Sequence, residues 1–192
     1  MKMGSTKIGI NELAKDDKIA FNTNDILSDV SGDKVEGIQG SQDLNRVVLS
    51  IRRVARTVKG GKRLSFSAFA VVGDKNGKVG FALGKARDAR NAIKKAIRKA
   101  ESRLEPIKIW NTTIPHSVDA KFSASKVVLR PAPVGTGIIT AKSIRAVADC
   151  AGIQNLKGKV LGSRNPISVV KATIKAMKSL RTKEEIYGIL KS

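Results

Sequence analysis

Six cations fall within twelve residues of the chain: Arg52, Arg53, Arg56, Lys59, Lys62 and Arg63, with Gly60-Gly61 among them. That composition suits phosphate chemistry. Cations at this density neutralise phosphates and release the counterions condensed on a polyanion. The arginine guanidinium adds a planar fork that matches phosphate oxygens. The two glycines let the backbone bend sharply and come close to another surface. Lys85 and Arg87 form a second, smaller cationic group. They sit just before a predicted helix, where free backbone N–H groups favour anions.

Catalytic constellations are missing by comparison. The only histidine is His116 and the only cysteine is Cys150. Cys150 lies in an apolar helical pattern, which predicts a packed thiol rather than a reactive one. One histidine and no CxxC pair give no metal site. Gly60-Gly61-Lys62 lacks the spacing of a phosphate loop, and Gly135-Thr136-Gly137 lacks the third glycine of a dinucleotide fingerprint. The second glycine pair reads as a tight strand-to-helix turn. No catalytic residue, no metal and no cofactor is expected, and no small-molecule substrate.

These residues sit in a strongly basic chain. Its 192 residues carry 37 Lys and Arg against 16 Asp and Glu, a formal net charge of +21. Such a field concentrates the chain on polyanions. Aromatic residues make up 4%, so stacking of single-stranded bases is not the main binding mode. Phosphate and shape contacts are expected instead. No apolar run approaches the roughly 20 residues of a membrane span, so no membrane partner is expected. A single cysteine allows no internal disulfide and suits a reducing compartment.

The charge divides the chain. Residues 1–43 hold five lysines and eight acids, a net of −3, and the remainder carries +24. The first segment has polar clusters and no sustained periodicity, and reads as an acidic, disordered extension. Residues 46–58 and 63–73 read as strands. Phe66, Ala68, Ala70 and Val72 share one face of the second, and Ser65, Ser67, Phe69 and Val71 the other. Asn76-Gly77 predicts a hairpin into a third strand at Lys78–Leu83. Ala89, Ala92, Ile93, Ala96, Ile97, Ala100 and Leu104 recur at helical spacing. They predict a helix over 88–104, with Asp88 as N-cap, Pro106 as its stop and a short strand at 107–110. Two strands are expected within 113–131, a helix over 141–151 closed by Gly152, and a strand at 157–162. A second helix starts with Asn165 as cap and Pro166 in its first position. A last helix is expected over 182–190. Strands followed by alternating helix and strand indicate an α+β fold.

Three blocks resemble a known family: GGKRLSFSAFAVVGDKNGKVGFALGKARDARNAIKKA at 60–96, TIPHSVDAKFSASKVVLRPAPVGTGIITAKSIRAVADCAGI at 113–153 and GSRNPISVVKATIKAM at 162–177. They are similar, in the same order, to the fifth protein of the small ribosomal subunit. The resemblance implies a double-stranded-RNA-binding-like domain over 44–111 and a left-handed βαβ domain over 112–180, with 181–192 as a C-terminal helix or tail. It implies binding to small-subunit rRNA near the neck, contact with the fourth and eighth small-subunit proteins, and a place beside mRNA in its entry channel. It implies a share in decoding accuracy and a cytoplasmic location within that subunit. The family's RNA-contacting loop, near the spectinomycin region, maps to Val54–Gly61. Its accuracy-related surface maps to Gly137 and Arg145, with Gly135 and Lys142 beside them. This chain departs from the family at Val134, where an acid is usual, and at Thr140-Ala141-Lys142, where Ala-Gly-Gly is usual. It also lacks the proline usual at Asp88-Ala89-Arg90. Two other functions are conceivable from the residues: a free RNA-binding regulator using the first domain alone, and a phosphotransferase suggested by fold relatives of the second. The latter lacks a complete nucleotide loop and a base with a partner.

Overall fold

β-branched and apolar residues dominate the stretch after Leu44, and they form two long strands in the computed structural model, which describes residues 44–182. Strand β1 (Asn45–Val58) runs antiparallel to β2 (Gly61–Gly73), from Asn45 opposite Gly73 to Val58 opposite Gly61. The register shifts between Val48 and Ser50, leaving Leu49 as an extra residue in β1. Strand β3 (Lys78–Ala86) follows a turn built on Asp74. Its carboxylate accepts from the backbone N–H of Asn76 at 2.8 Å and of Lys78 at 2.9 Å. A two-residue strand β4 (Glu105–Pro106) completes a sheet in the order β1-β2-β3-β4.

Both faces of β2 are buried from Ala68 onward. Ala68, Ala70 and Val72 lie on the face packed by helix α1 (Ala89–Glu101), whose buried side is Ala92, Ile93, Ala96, Ile97 and Ala100. The helix lies very close to the sheet. A Cβ on Gly80 or Gly84 of β3 would run into the carbonyl oxygen of Ala100 or Ala92. Phe69 and Val71 face the other way. Phe69 meets Phe81 edge-on, with ring centroids 6.3 Å apart.

Helix α1 differs from expectation at both ends. It covers 89–101 rather than 88–104. Asp88 is extended at the N-cap, but its carboxylate accepts from the Asn91 side chain rather than from a backbone N–H. Ser102 caps the C-terminus, so Pro106 does not stop the helix. Pro106 lies instead in β4, opposite Lys78 at the sheet edge, where a missing N–H is tolerated. The strand expected at 107–110 is absent, and Trp110 forms an isolated bridge with Thr113.

The second sheet has the order β5-β6-β8-β7, from β5 (Val118–Phe122), β6 (Ser125–Pro131), β7 (Ile138–Ile139) and β8 (Leu156–Gly162). Strand β7 was not legible in the sequence. It is parallel to β8, and helix α2 (Lys142–Ala151) connects them, giving a βαβ crossover. Helix α3 (Pro166–Lys178) packs on β5 and β6. Asn165 caps it as expected, its side chain accepting from the Ile167 N–H at 3.3 Å. The fold is therefore α+β. Among the described residues it contains two sheets and three helices.

The two sheets are joined at the end of α2. A helix leaves its last carbonyls without internal partners. Here the β2–β3 turn supplies them: Lys75 N–H donates to the Cys150 carbonyl and Gly77 N–H to that of Ala151, each at 3.0 Å. Gly152 closes α2 in the left-handed conformation, with φ of 90°, against the Lys75 carbonyl. A Cβ on Gly73 would strike the Cys150 carbonyl. One hydrophobic cluster consequently runs from Phe69, Val71 and Val79 through Val147 and Leu156 to Met177. Residues 1–43, and the helix expected over 182–190 apart from Thr182, lie outside the described residues.

Candidate nucleic-acid interface

The basic bend is the tip of the β1–β2 hairpin, closed by the two-residue loop Lys59–Gly60. Strand β3 pairs with β2 only as far as Phe66. The five pairs from Val54–Ser65 to Val58–Gly61 therefore stand beyond the sheet as a two-stranded ribbon, about 17 Å long at the rise of an extended strand. Gly61 has φ of 127°, and a Cβ on either glycine would meet nothing. The bend is thus both sharp and open.

Register sorts the cations by face. Arg52 lies opposite Ser67, which lies opposite Lys85 on β3, and Arg56 lies opposite Arg63. These four cations share the face turned away from α1. Arg53 and Lys62 alternate onto the other face, and Lys59 sits at the loop. All are exposed. Cross-strand neighbours are about 4.5–5.5 Å apart at Cβ, and like charges so placed are destabilising. Arg56 and Arg63 have no ion pair among the described residues; the pairs present are Arg46–Glu101, Lys126–Asp119 and Lys178–Glu105. Neutralisation by an external polyanion would relieve that repulsion.

Lys85 is placed differently from its expected position before a helix. It belongs to β3, and its neighbours are strand residues. Arg87 lies between β3 and α1 and is exposed. Pairing with β2 as far as Phe66 takes β3 three residues past the expected Leu83, and this carries Lys85 into the sheet.

The second candidate surface surrounds the β6–β7 connection. Gly135 and Gly137 have φ of 89° and 72°, and a Cβ on either would meet open space. The Arg145 guanidinium donates to the Ile138 carbonyl at 2.8 Å, tying α2 to β7. Lys142 is the first residue of α2 and is exposed. Val134, where the family resemblance leads one to expect an acid, is 84% exposed. Arg145 and Ile138 also line an open cleft of about 720 Å³ with Asn45, Lys75 and Asp149. Burial pushes the Asp149 carboxyl above its ordinary value, with Arg145 opposing.

Asn155 is a positioning residue that the sequence reading missed. Its buried side chain accepts from the Gly137 N–H at 3.0 Å and donates to Thr112 Oγ1 at 3.1 Å. The glycine loop is thereby fixed to the strand connection before β5. The only sequence signal is a polar pair, Gln154-Asn155, between Ile153 and Leu156.

Cys150 is fully buried, and burial pushes its thiol up to about 12. His116 lies in the loop before β5, its Nδ1 buried with no hydrogen-bond partner among the described residues. Among the described residues no three His, Cys, Asp or Glu side chains gather as a metal-ligand set, and no helix is long and apolar enough to cross a membrane.

Two family profiles match the chain. Ribosomal protein S5, N-terminal domain, matches residues 44–108, and Ribosomal protein S5, C-terminal domain, matches residues 120–188. Among curated proteins, the small ribosomal subunit protein uS5 of Syntrophobacter fumaroxidans is 50% identical over 137 residues, covering 71% of this chain and 82% of that protein. That of Psychromonas ingrahamii is 44% identical over 153 residues, covering 80% and 90%. That of Mycoplasmopsis agalactiae is 48% identical over 152 residues, which is 79% of this chain and 66% of the longer relative.

Proposed function

The chain belongs to the ribosomal protein S5 family, and from that premise we propose that it is a structural constituent of the small ribosomal subunit that binds ribosomal RNA. The observation that carries this reading is the exposed two-stranded ribbon, whose Arg56 and Arg63 continue the cationic face begun by Arg52 and Lys85 in the adjoining sheet. A rigid ribbon of cations around an unobstructed glycine bend can enter a narrow space between RNA strands. There it neutralises phosphates that would otherwise repel each other. The role is assembly and shaping of RNA, without catalysis.

The finer reading places the chain in the neck and body region of the subunit, in the cytoplasm, lining the mRNA entry channel. Its ribbon tip, Val54–Gly61, faces the rRNA. The surface of Gly135, Gly137, Lys142 and Arg145 faces the fourth small-subunit protein and bears on decoding accuracy, with the eighth protein a further neighbour. Support comes from the geometry around Arg145. Its bond to Ile138 and the Asn155 bond to Gly137 hold this loop in one shape, as an accuracy-related contact requires.

Sedimentation of a native lysate on a sucrose gradient, with and without a high-salt wash, tests the proposal. The chain is expected to stay with the small subunit at stoichiometric level after the wash. Migration at the top of the gradient would overturn the ribosomal reading in favour of a free RNA-binding regulator.

A further inference from the structure

Among the described residues, the second sheet is covered on one side only. Val118 and Ala120 of β5, Val127 and Leu129 of β6, and Leu156 and Val160 of β8 point to α2 and α3 and join the hydrophobic cluster. Strand alternation sends the intervening residues to the opposite, open face. Register aligns them in rows: Lys121, Lys126 and Leu161; Asp119, Val128 and Lys159; then Arg130, Lys157 and Ile139. Adjacent strands lie about 4.8 Å apart and successive rows about 6.6–7 Å apart. Five cations therefore occupy one small grid with a single acid.

That acid is already engaged. Asp119 pairs with Lys126 at 2.9 Å, and the bond and charge of Lys126 hold its carboxyl below the usual value. Lys121, Arg130, Lys157 and Lys159 make no ion pair among the described residues. Two like-charged pairs, Lys121 with Lys126 and Arg130 with Lys157, stand directly across strands. Such pairs weaken a sheet, and of these four cations only Lys126 has an ion-pair partner among the described residues. Neutral residues at these positions would serve the sheet better, so the charges point to an external anion.

The residue types identify that anion. Lysine is depleted at protein–protein interfaces, whose cores favour aromatics and arginine. The described residues place no aromatic side chain on this face, so base stacking is excluded as its chemistry. What remains is contact with a phosphodiester backbone. We propose that the open face of the second sheet is a second RNA-binding surface, separate from the β1–β2 ribbon, that tracks RNA phosphates without reading bases. The surface deepens the ribosomal reading and rests on it. It makes the chain a two-point clamp: the ribbon and this face belong to one compact unit, so RNA segments bound at the two are held in a fixed relation.

The test uses the full chain and purified small-subunit ribosomal RNA. Affinity is measured against salt for the parent chain, for Lys157→Gln with Lys159→Gln, and for Arg56→Gln with Arg63→Gln. Each phosphate contact contributes about 0.7–0.9 to the slope of log affinity against log salt. The sheet pair is expected to lower the slope by about 1.4–1.8, as the ribbon pair does. A photo-crosslinker on Lys159→Cys, in a chain assembled into subunits, should label RNA; the buried Cys150 leaves the new thiol as the reactive one. An unchanged slope for the sheet pair beside a lowered slope for the ribbon pair overturns this inference and leaves the ribosomal reading standing. Labelling of protein alone also overturns it and assigns the face to an acidic protein neighbour. A parent chain that neither binds the RNA nor enters subunits removes the ribosomal reading and this inference together.

Discussion

Replacing Gly152, the one glycine that caps a helix among the described residues, with alanine should be strongly destabilising. Gly152 sits at φ of 90°, and its α-carbon faces the Lys75 carbonyl. Two effects add. An L-residue held in the left-handed region costs roughly 1–2 kcal/mol. The new Cβ also forces the β2–β3 turn away from α2, straining the bonds from Lys75 and Gly77 to the Cys150 and Ala151 carbonyls. Each such bond contributes about 0.5–1.5 kcal/mol net. The expected loss is therefore roughly 2–5 kcal/mol, a large part of the 5–15 kcal/mol that holds a typical domain together. Gly135→Ala is the control. It has nearly the same φ, 89°, but its Cβ meets nothing, so only the backbone strain of about 1–2 kcal/mol applies. Urea unfolding of both purified variants, followed by circular dichroism, gives the difference. Equal losses would falsify the reasoning, because they would mean that the turn yields freely and does not clamp α2.

Arg56→Glu with Lys59→Glu should weaken incorporation into small subunits or disturb initiation and the spectinomycin response, while the circular dichroism spectrum stays that of the parent; normal assembly, growth and drug response would count against a ribbon–RNA contact. Asn155→Ala should cost about 1–3 kcal/mol, because the Gly137 N–H and the Thr112 hydroxyl lose their partner; faster amide exchange at Gly137 would confirm the cause, and unchanged exchange would refute it. Cys150 should not react with a thiol reagent at pH 8 in the native chain and should react fully in urea, since the thiolate is the nucleophile. The same burial has a pH signature. The folded thiol titrates at about 12 against an ordinary 9.0, so the stabilisation is fully present below pH 9 and is lost as pH rises towards 12; a Cys150→Ala variant should show a flatter loss of stability across that window in urea titrations.

Elements with a strong local signal were legible before the structure. The Asn165-Pro166 start of α3 and the Gly152 end of α2 depend on a cap, a fixed φ and a left-handed residue, all of them local chemistry. The basic bend was legible because charge and glycine act wherever they are exposed. What escaped was decided by partners distant in sequence. The extra residue Leu49 shifts the alternation of β1, and it is this slip that puts Arg52 and Arg56 on the face shared with Arg63 and Lys85. A one-residue slip turns every following side chain over, and no property of RVVLSIRR announces it. Strand β7 has two residues and exists because β8 lies beside it. The apolar pattern reaching Leu104 extended the expected helix, but the chain leaves α1 at Ser102 so that Glu105 and Pro106 can pair with β3. The cationic face of the second sheet is scattered over three strands and becomes a surface only through register.

The clamp between the β2–β3 turn and the end of α2 also sets a timetable. The turn leaves the site of synthesis roughly 75 residues before Cys150 and Ala151 do, about 4–15 s at 5–20 residues per second. Through that interval Phe69, Val71 and Val79 have no partner from α2, and the N–H groups of Lys75 and Gly77 face water. The cationic hairpin thus emerges first but waits on a base that is finished last. A nascent chain stalled between the two sheets would present a sticky apolar face beside a strongly cationic ribbon, and completion of α2 is the step that covers that face.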